Sequence, residues 1–187
     1  MLKKILIGLI GFCASNAFAN ELQDKQIIRK MMNQYINAVA CSTSPIDIKD
    51  IASIYPPEKE YTGSTYYVLW SGDKGCEGGS GTLSSYISEV SRYSTSRPFL
   101  VTNDDALGDN NEESWKSGNA FTNYRFIESM KKLDNGQLEF VSRNYADVKY
   151  GGKDAGNNFP ANKFRYILAL EDSKWKVVKQ VLLEQNN

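Results

Sequence analysis

The chain of 187 residues contains no histidine. That absence removes the usual general base, the commonest metal ligand and the ordinary Ser-His and Cys-His nucleophile pairs. Cysteine is scarce, at three residues: Cys13, Cys41 and Cys76. Neither sign of charge is in excess, with 22 Lys and Arg against 22 Asp and Glu. Nothing therefore indicates a nucleic acid or an anionic membrane surface as partner. Internal repeats and a second domain boundary are missing. Beyond residue 20 no stretch is apolar enough to span a bilayer, which takes ~20 residues.

The N-terminal residues carry an address. Lys3 and Lys4 form a short positive region, residues 5–12 are apolar, and Ala17-Phe18-Ala19 is an A-x-A site. This pattern predicts a cleaved secretory signal peptide over residues 1–19, with Asn20 as the first mature residue. The apolar run stops at Ser15 and Asn16, too short for a membrane anchor. A lipoprotein signal is disfavoured because the large Phe12 precedes Cys13. The compact Lys-Lys start is bacterial in style, and a Gram-negative periplasm, or secretion, is the expected destination. Removing 19 of 187 residues leaves 168, enough for one domain with a hydrophobic core. Lys3 and Lys4 leave with the signal, so the mature balance is 20 basic against 22 acidic residues. Cys13 leaves too. In an oxidising compartment the remaining Cys41 and Cys76 are expected to form a disulfide. Closing a loop of that size contributes about 3–4 kcal/mol in the chain-entropy model.

Along the mature chain, Ile28, Met32, Tyr35 or Ile36, and Val39 recur at helical spacing and predict a helix over 21–40, with Asn20 and Gln23 as a capping box. Residues 45–55 predict a second helix. Ser44 is its cap, Pro45 its first residue, Ile48, Ile51 and Ile54 or Tyr55 its stripe, and Pro56-Pro57 its end. Residues 66–70, Tyr-Tyr-Val-Leu-Trp, have strong strand character. A shaped loop follows, with five glycines in residues 71–82. Residues 83–93 lean to a returning strand, and 98–101 form a short one. Residues 103–113 read as an acidic loop and 121–130 as a strand. Asn135-Gly136 marks a hairpin whose return strand is 138–145. Residues 151–162 read as a polar loop, and 164–170 and 175–183 make a second hairpin across 171–174. The expected fold class is α+β: two N-terminal helices packed on a curved, mainly antiparallel sheet.

Two resemblances follow from these residues. The order of elements, ending in Ser173-Lys174-Trp175-Lys176-Val177-Val178, resembles the NTF2-like superfamily, with a cystatin-like arrangement as the other possibility. Residues 67–70 with the segment from Gly72 to Thr82 resemble a stretch of uncharacterised secreted proteobacterial proteins. Neither resemblance supplies a catalytic residue.

A search for chemistry returns little. Gly81-Thr82 lacks the lysine of a P-loop, and Gly78-Gly79-Ser80-Gly81-Thr82 fails the last position of a nucleophile elbow. Ser-x-x-Lys occurs at Ser71/Lys74, Ser129/Lys132 and Ser173/Lys176, without the companion S-D-N and K-T-G motifs. Asp104, Asp105, Asp109, Glu112 and Glu113 offer oxygen ligands for calcium. An EF-hand register on Gly108, however, puts Leu107 and Ser114 at ligand positions. The NTF2-like resemblance implies a carboxylate base with a tyrosine donor. Tyr35, Tyr66, Tyr67, Tyr124, Tyr145 and Tyr166 are available, but no Asp is singled out as base. No cofactor and no metal is expected.

Three functions remain. The first is a non-enzymatic protein-binding module, an inhibitor or immunity-type protein acting on an envelope toxin or hydrolase. Its candidate interface is Trp70, Asp73, Lys74 and Glu77 on the disulfide-held loop. The second is an NTF2-like small-ligand binder or enzyme, which requires a deep apolar cone between helix and sheet holding an unpaired carboxylate. The third is an envelope or secretion-apparatus structural component.

Overall fold

A computed structural model describes residues 11–55, 63–79, 81–107, 126–144, 162–172 and 174–184, with backbone only for 11–19. It is an α+β fold of one long helix and two antiparallel sheets. Helix α1 spans Gly11–Val39. Its buried stripe is Asp24, Ile28, Met32, Ile36 and, just beyond the helix, Ala40, every fourth residue. Asn20 lies inside this helix and does not cap it, because the alanine-rich residues before it continue the same winding.

The first sheet contains β1 (Ala40–Cys41), β2 (Ile51–Tyr55), β3 (Ser64–Lys74), β4 (Ser84–Arg92) and β5 (Leu100–Asn103). Strands β1 and β2 lie end to end on the same edge of β3, and β4 and β5 follow on the other. The second sheet is a meander of β6 (Ile127–Lys132), β7 (Leu138–Asn144), β8 (Asn162–Glu171) and β9 (Lys174–Glu184). The β6–β7 turn places Gly136 at φ 81°, with its amide donating to Leu133 O at 2.9 Å. That is the left-handed position a three-residue hairpin requires.

The expected second helix over 45–55 is replaced by a single 3-10 turn, Ile48–Asp50, followed by β2. Asp47 caps the turn, accepting from Ile48 N at 2.6 Å, while Asp50 Oδ2 accepts from Asp47 N at 3.0 Å. The three-residue spacing of Ile51 and Ile54 imitates a helical stripe. In a strand that spacing sends the two side chains to opposite faces. Ile51 joins the core under α1, and Ile54 joins the core between the sheets. Residues 83–93 resolve as β4, as the sequence favours. The short strand expected at 98–101 begins at Leu100. Of the strand expected at 121–130, residues 121–125 lie outside the described residues, as do most of the acidic loop and residues 151–161.

The layers are helix, sheet, sheet. On β3 the even residues Tyr66, Val68 and Trp70 face α1, and the odd residues Tyr67 and Leu69 face the second sheet. Burial on both faces explains why residues 66–70 are apolar without alternation. Between the sheets, Phe140, Phe164, Tyr166 and Leu138 are wholly buried, and Trp175 Nε1 donates to Tyr67 Oη at 3.0 Å.

A buried ion pair ties α1 to the sheet. Arg92 Nη2 donates to both oxygens of Asp24, at 2.8 and 2.6 Å, and the two side chains are only 10% and 6% exposed. Tyr66 Oη donates to Asp24 Oδ2 at 3.0 Å, Arg92 Nε donates to Ser64 Oγ at 3.1 Å, and the guanidinium lies 4.5 Å from the Phe99 ring centre. Burial raises the Asp24 carboxyl above its ordinary range against the pull of Arg92 and Tyr66. Such a pair is costly to break and inexpensive to replace whole. Asp24→Ala, which strands the guanidinium, should lower unfolding free energy in urea by about 3–5 kcal/mol. The double variant Asp24→Leu/Arg92→Met should lose markedly less than the sum of its single variants; additive losses would show that the two residues act independently.

Candidate functional site

The β3–β4 hairpin ends in an exposed loop whose backbone is fixed at several points. Gly75, Cys76, Gly78 and Gly79 have φ of 81°, 56°, 69° and 132°. The first amide of the loop, Gly75 N, donates to Val39 O at 2.9 Å, reaching the C-terminal end of α1. Cys76 N donates to Asp73 O at 3.0 Å, and Gly78 N to Asp73 Oδ2 at 2.9 Å. Cys76 is disulfide-bonded to Cys41, with a Cα–Cα distance of 5.0 Å. Residues 75–79 are nevertheless all exposed. The loop is held in one shape while adding nothing to the core.

The four candidate interface residues divide into two pairs. Lys74 and Glu77 are exposed. Lys74 is ion-paired with Asp104 and lies 5.8 Å from the Tyr86 ring centre. Its hydrogen bond to that carboxylate raises the Lys74 ammonium and lowers the Asp104 carboxyl. Trp70 and Asp73 lie beneath the surface. Trp70 is 3% exposed, stacks on Tyr86 at 4.4 Å, meets Tyr35 edge-on at 6.4 Å and donates to Ser88 Oγ at 2.9 Å. Its ring is core, and its even position beside Tyr66 and Val68 is the signal that places it there. Asp73 is buried and acts as the staple of the loop, with Oδ1 left without a hydrogen-bond partner.

A cleft lies along the part of β3 that precedes this loop. Strand β1 pairs with β3 at Asp73 and Lys74, and β2 pairs with β3 from Thr65 to Val68. Between these pairings, residues 69–72 have no strand partner on that edge among the described residues. The connection from β1 to β2 swings out at Ser42, φ 53°, and returns through the 3-10 turn. Gly72 allows this close passage, since a Cβ there would lie 3.1 Å from both Ala40 Cβ and Thr43 Cγ2. Ile46 N donates to Asn33 Oδ1 at 3.1 Å and fastens the connection to α1. The gap holds about 170 Å³. Its walls are Ser44, Pro45, Ile46 and Asp50 from the connection, Leu69, Trp70 and Ser71 from β3, Ser85 from β4, and Ile127 and Glu128 from β6. Burial would raise the Glu128 carboxyl, but Lys163 and Arg143 outweigh it and hold the group below its ordinary range. These cleft residues come from several separate segments, and no spacing in the sequence connects them.

The other chemical candidates do not converge. Ser71 and Lys74, like Ser129 and Lys132, are three apart on a strand and so point to opposite faces; Ser173 lies outside the described residues. Lys132 Nζ instead donates to Ile54 O at 2.9 Å. Asp104 is engaged by Lys74, and Asp109, Glu112 and Glu113 lie outside the described residues. The interface of α1 with β3 is filled by Ile28, Met32, Ile36, Tyr66, Val68 and Trp70, and its carboxylate, Asp24, is paired. Burial, with Asp24 adding to it, pushes the Tyr66 hydroxyl far up, so it stays protonated.

No family model, curated protein or solved structure matches the chain. Among the described residues no helix is long and apolar enough to cross a membrane.

Reduction of the Cys41–Cys76 bond should lower the stability of the protein by about 3–4 kcal/mol. Urea unfolding with and without dithiothreitol measures this. Gly72→Ala should cost about 1–3 kcal/mol by overpacking against the β1–β2 connection, and an unchanged urea midpoint would show that the connection yields freely.

Proposed function

We propose that the protein is an exported protein-binding module of a Gram-negative envelope. In this reading residues 1–19 are its cleaved signal, and it acts as an inhibitor or immunity-type protein against a toxin or hydrolase of that compartment. The observation that carries this reading is the exposed loop at residues 75–79, fixed by the Cys41–Cys76 bond and the Asp73 carboxylate. Fixing one residue's backbone costs about 1–2 kcal/mol, a cost ordinarily offset by burial. Here the residues stay in solvent, without burial to offset that cost, while a loop already ordered loses less entropy on meeting a partner. The signal pattern supports export, and the disulfide fits an oxidising compartment. Lys74 and Glu77 are the side chains this surface offers. The buried residues described in α1, Asp24, Ile28, Met32 and Ile36, all follow Asn20 and so belong to the chain that cleavage there would leave.

A photo-crosslinking residue at Glu77, in protein exported by its own signal in its native host, should yield one defined adduct with an envelope protein. The same residue at the exposed Lys179 of the second sheet should yield none. Intact mass should show a chain beginning at Asn20 that resists thiol alkylation until reduced. An unprocessed chain, or identical adducts from both positions, would overturn the reading.

A further inference from the structure

We propose that the cleft beside β3 is a socket for one basic side chain, arginine or lysine, of the partner. The inference rests on the protein-binding reading and adds the chemistry by which the partner is recognised. Size comes first. The cleft's 170 Å³ is below the ~300–1,000 Å³ of sites for drug-sized ligands. It is close to the ~150 Å³ that holds a single benzene, the scale of one side chain. Wall chemistry comes second. Ile46, Leu69, Trp70 and Ile127 supply the apolar part of the lining. Ser44, Asp50, Ser71, Ser85 and Glu128 supply the polar and acidic part. Lysine and arginine have the same division, an apolar stem and a charged head.

Charge decides among occupants. Glu128 also lines the cleft, but Arg143 Nε at 2.9 Å and Lys163 already balance it. Asp50 differs. Its Oδ2 accepts from Asp47 N, and among the described residues no Lys or Arg forms an ion pair with it. Among the described residues no basic side chain lines the cleft. An anionic group would meet the Asp50 carboxylate, to which no cation is paired among the described residues. An apolar side chain would cover the Asp50 carboxylate and the Ser44 and Ser71 hydroxyls without giving them partners, which is costly. A guanidinium or ammonium head supplies the missing charge and donates to those oxygens. Ser85 Oγ donates to Ile127 O at 2.9 Å and so keeps its lone pairs for the same donor. The socket is also pre-shaped: its outer wall is the β1–β2 connection, fastened by Asn33 and by the disulfide at Cys41.

The test uses small probes and the oxidised, exported protein. Nα-acetyl-arginine N-methylamide and its lysine counterpart are titrated against the amide spectrum, following the backbone amides of Asp50 and Ser71. Saturable shifts with a Kd in the millimolar range are expected, with at least about tenfold weaker binding for the neutral citrulline analogue. Asp50→Asn keeps an oxygen for the Asp47 amide, so the cap survives, and it should weaken both cationic probes by a similar factor. Equal binding of citrulline, equal binding by Asp50→Asn, or no shift up to ~50 mM would overturn the assignment. Because citrulline tests the wild-type chain, the result does not depend on a variant folding. Probe binding without an envelope adduct at position 77 would support the socket and count against the envelope partner. An adduct without probe binding would do the reverse.

Discussion

Strand β3 has no solvent face along most of its length, and the rest of the structure is arranged around that constraint. A strand buried on both sides needs a cover for each. Helix α1 supplies one through Ile28, Met32 and Ile36, and the β6–β9 meander supplies the other through Phe140, Phe164 and Tyr166. Neither cover is optional, since exposing either face would open a row of large apolar side chains to water at roughly 25 cal/mol per Å². The Asp24–Arg92 pair sits at the margin of the helical cover. It joins α1 to the last residue of β4, with Tyr66 and Ser64 completing the hydrogen bonds. A buried pair of this kind adds little net energy over an apolar substitute.

The same strand explains why the candidate surface lies where it does. Beyond Trp70 the residues of β3 change character to Ser-Gly-Asp-Lys, and the double cover ends with them. The edge there is shared by two short strands that do not meet. The chain must leave β1 and rejoin at β2, so a gap opens between them, roofed by the β1–β2 connection. The loop and the cleft are thus two consequences of one event, the exit of a doubly buried strand from its core. The disulfide connects the same two segments, the start of the connection and the tip of the hairpin.

Much of this was readable in the sequence because the signals were local. The stripe of α1, the apolar run of β3, the Asn135-Gly136 turn and the lone cysteine pair each depend on neighbours within a few residues or on simple counting. The readings that failed depended on distant partners. Ile48, Ile51 and Ile54 fit a helix by spacing, and only the pairing of β2 with β3 shows that Ile51 and Ile54 serve two different cores. Trp70 and Asp73 look like surface residues beside glycines. Their burial follows from the parity of a strand covered twice and from a carboxylate turned inward to Gly78. The cleft left no trace in the sequence, since Ser44, Asp50, Ser71, Ser85 and Glu128 are brought together by topology alone.

Rigidity here is distributed in a way that a folding requirement alone does not explain. A hairpin connecting β3 to β4 needs only a turn, and the cross-strand register from Gly72–Ser84 back to Ser64–Arg92 is already set by pairing. The additional constraints fall on exposed backbone: a cysteine at positive φ, an aspartate buried to hold one amide, and an amide reaching back to the helix end. A left-handed conformation at a non-glycine residue costs about 1–2 kcal/mol, and a buried carboxylate oxygen without a donor adds to that. The disulfide offsets these costs chiefly by restricting the unfolded chain. Under the proposed protein-binding function, this strain on solvent-facing backbone, stabilised from beneath, would keep the loop in the shape its partner meets.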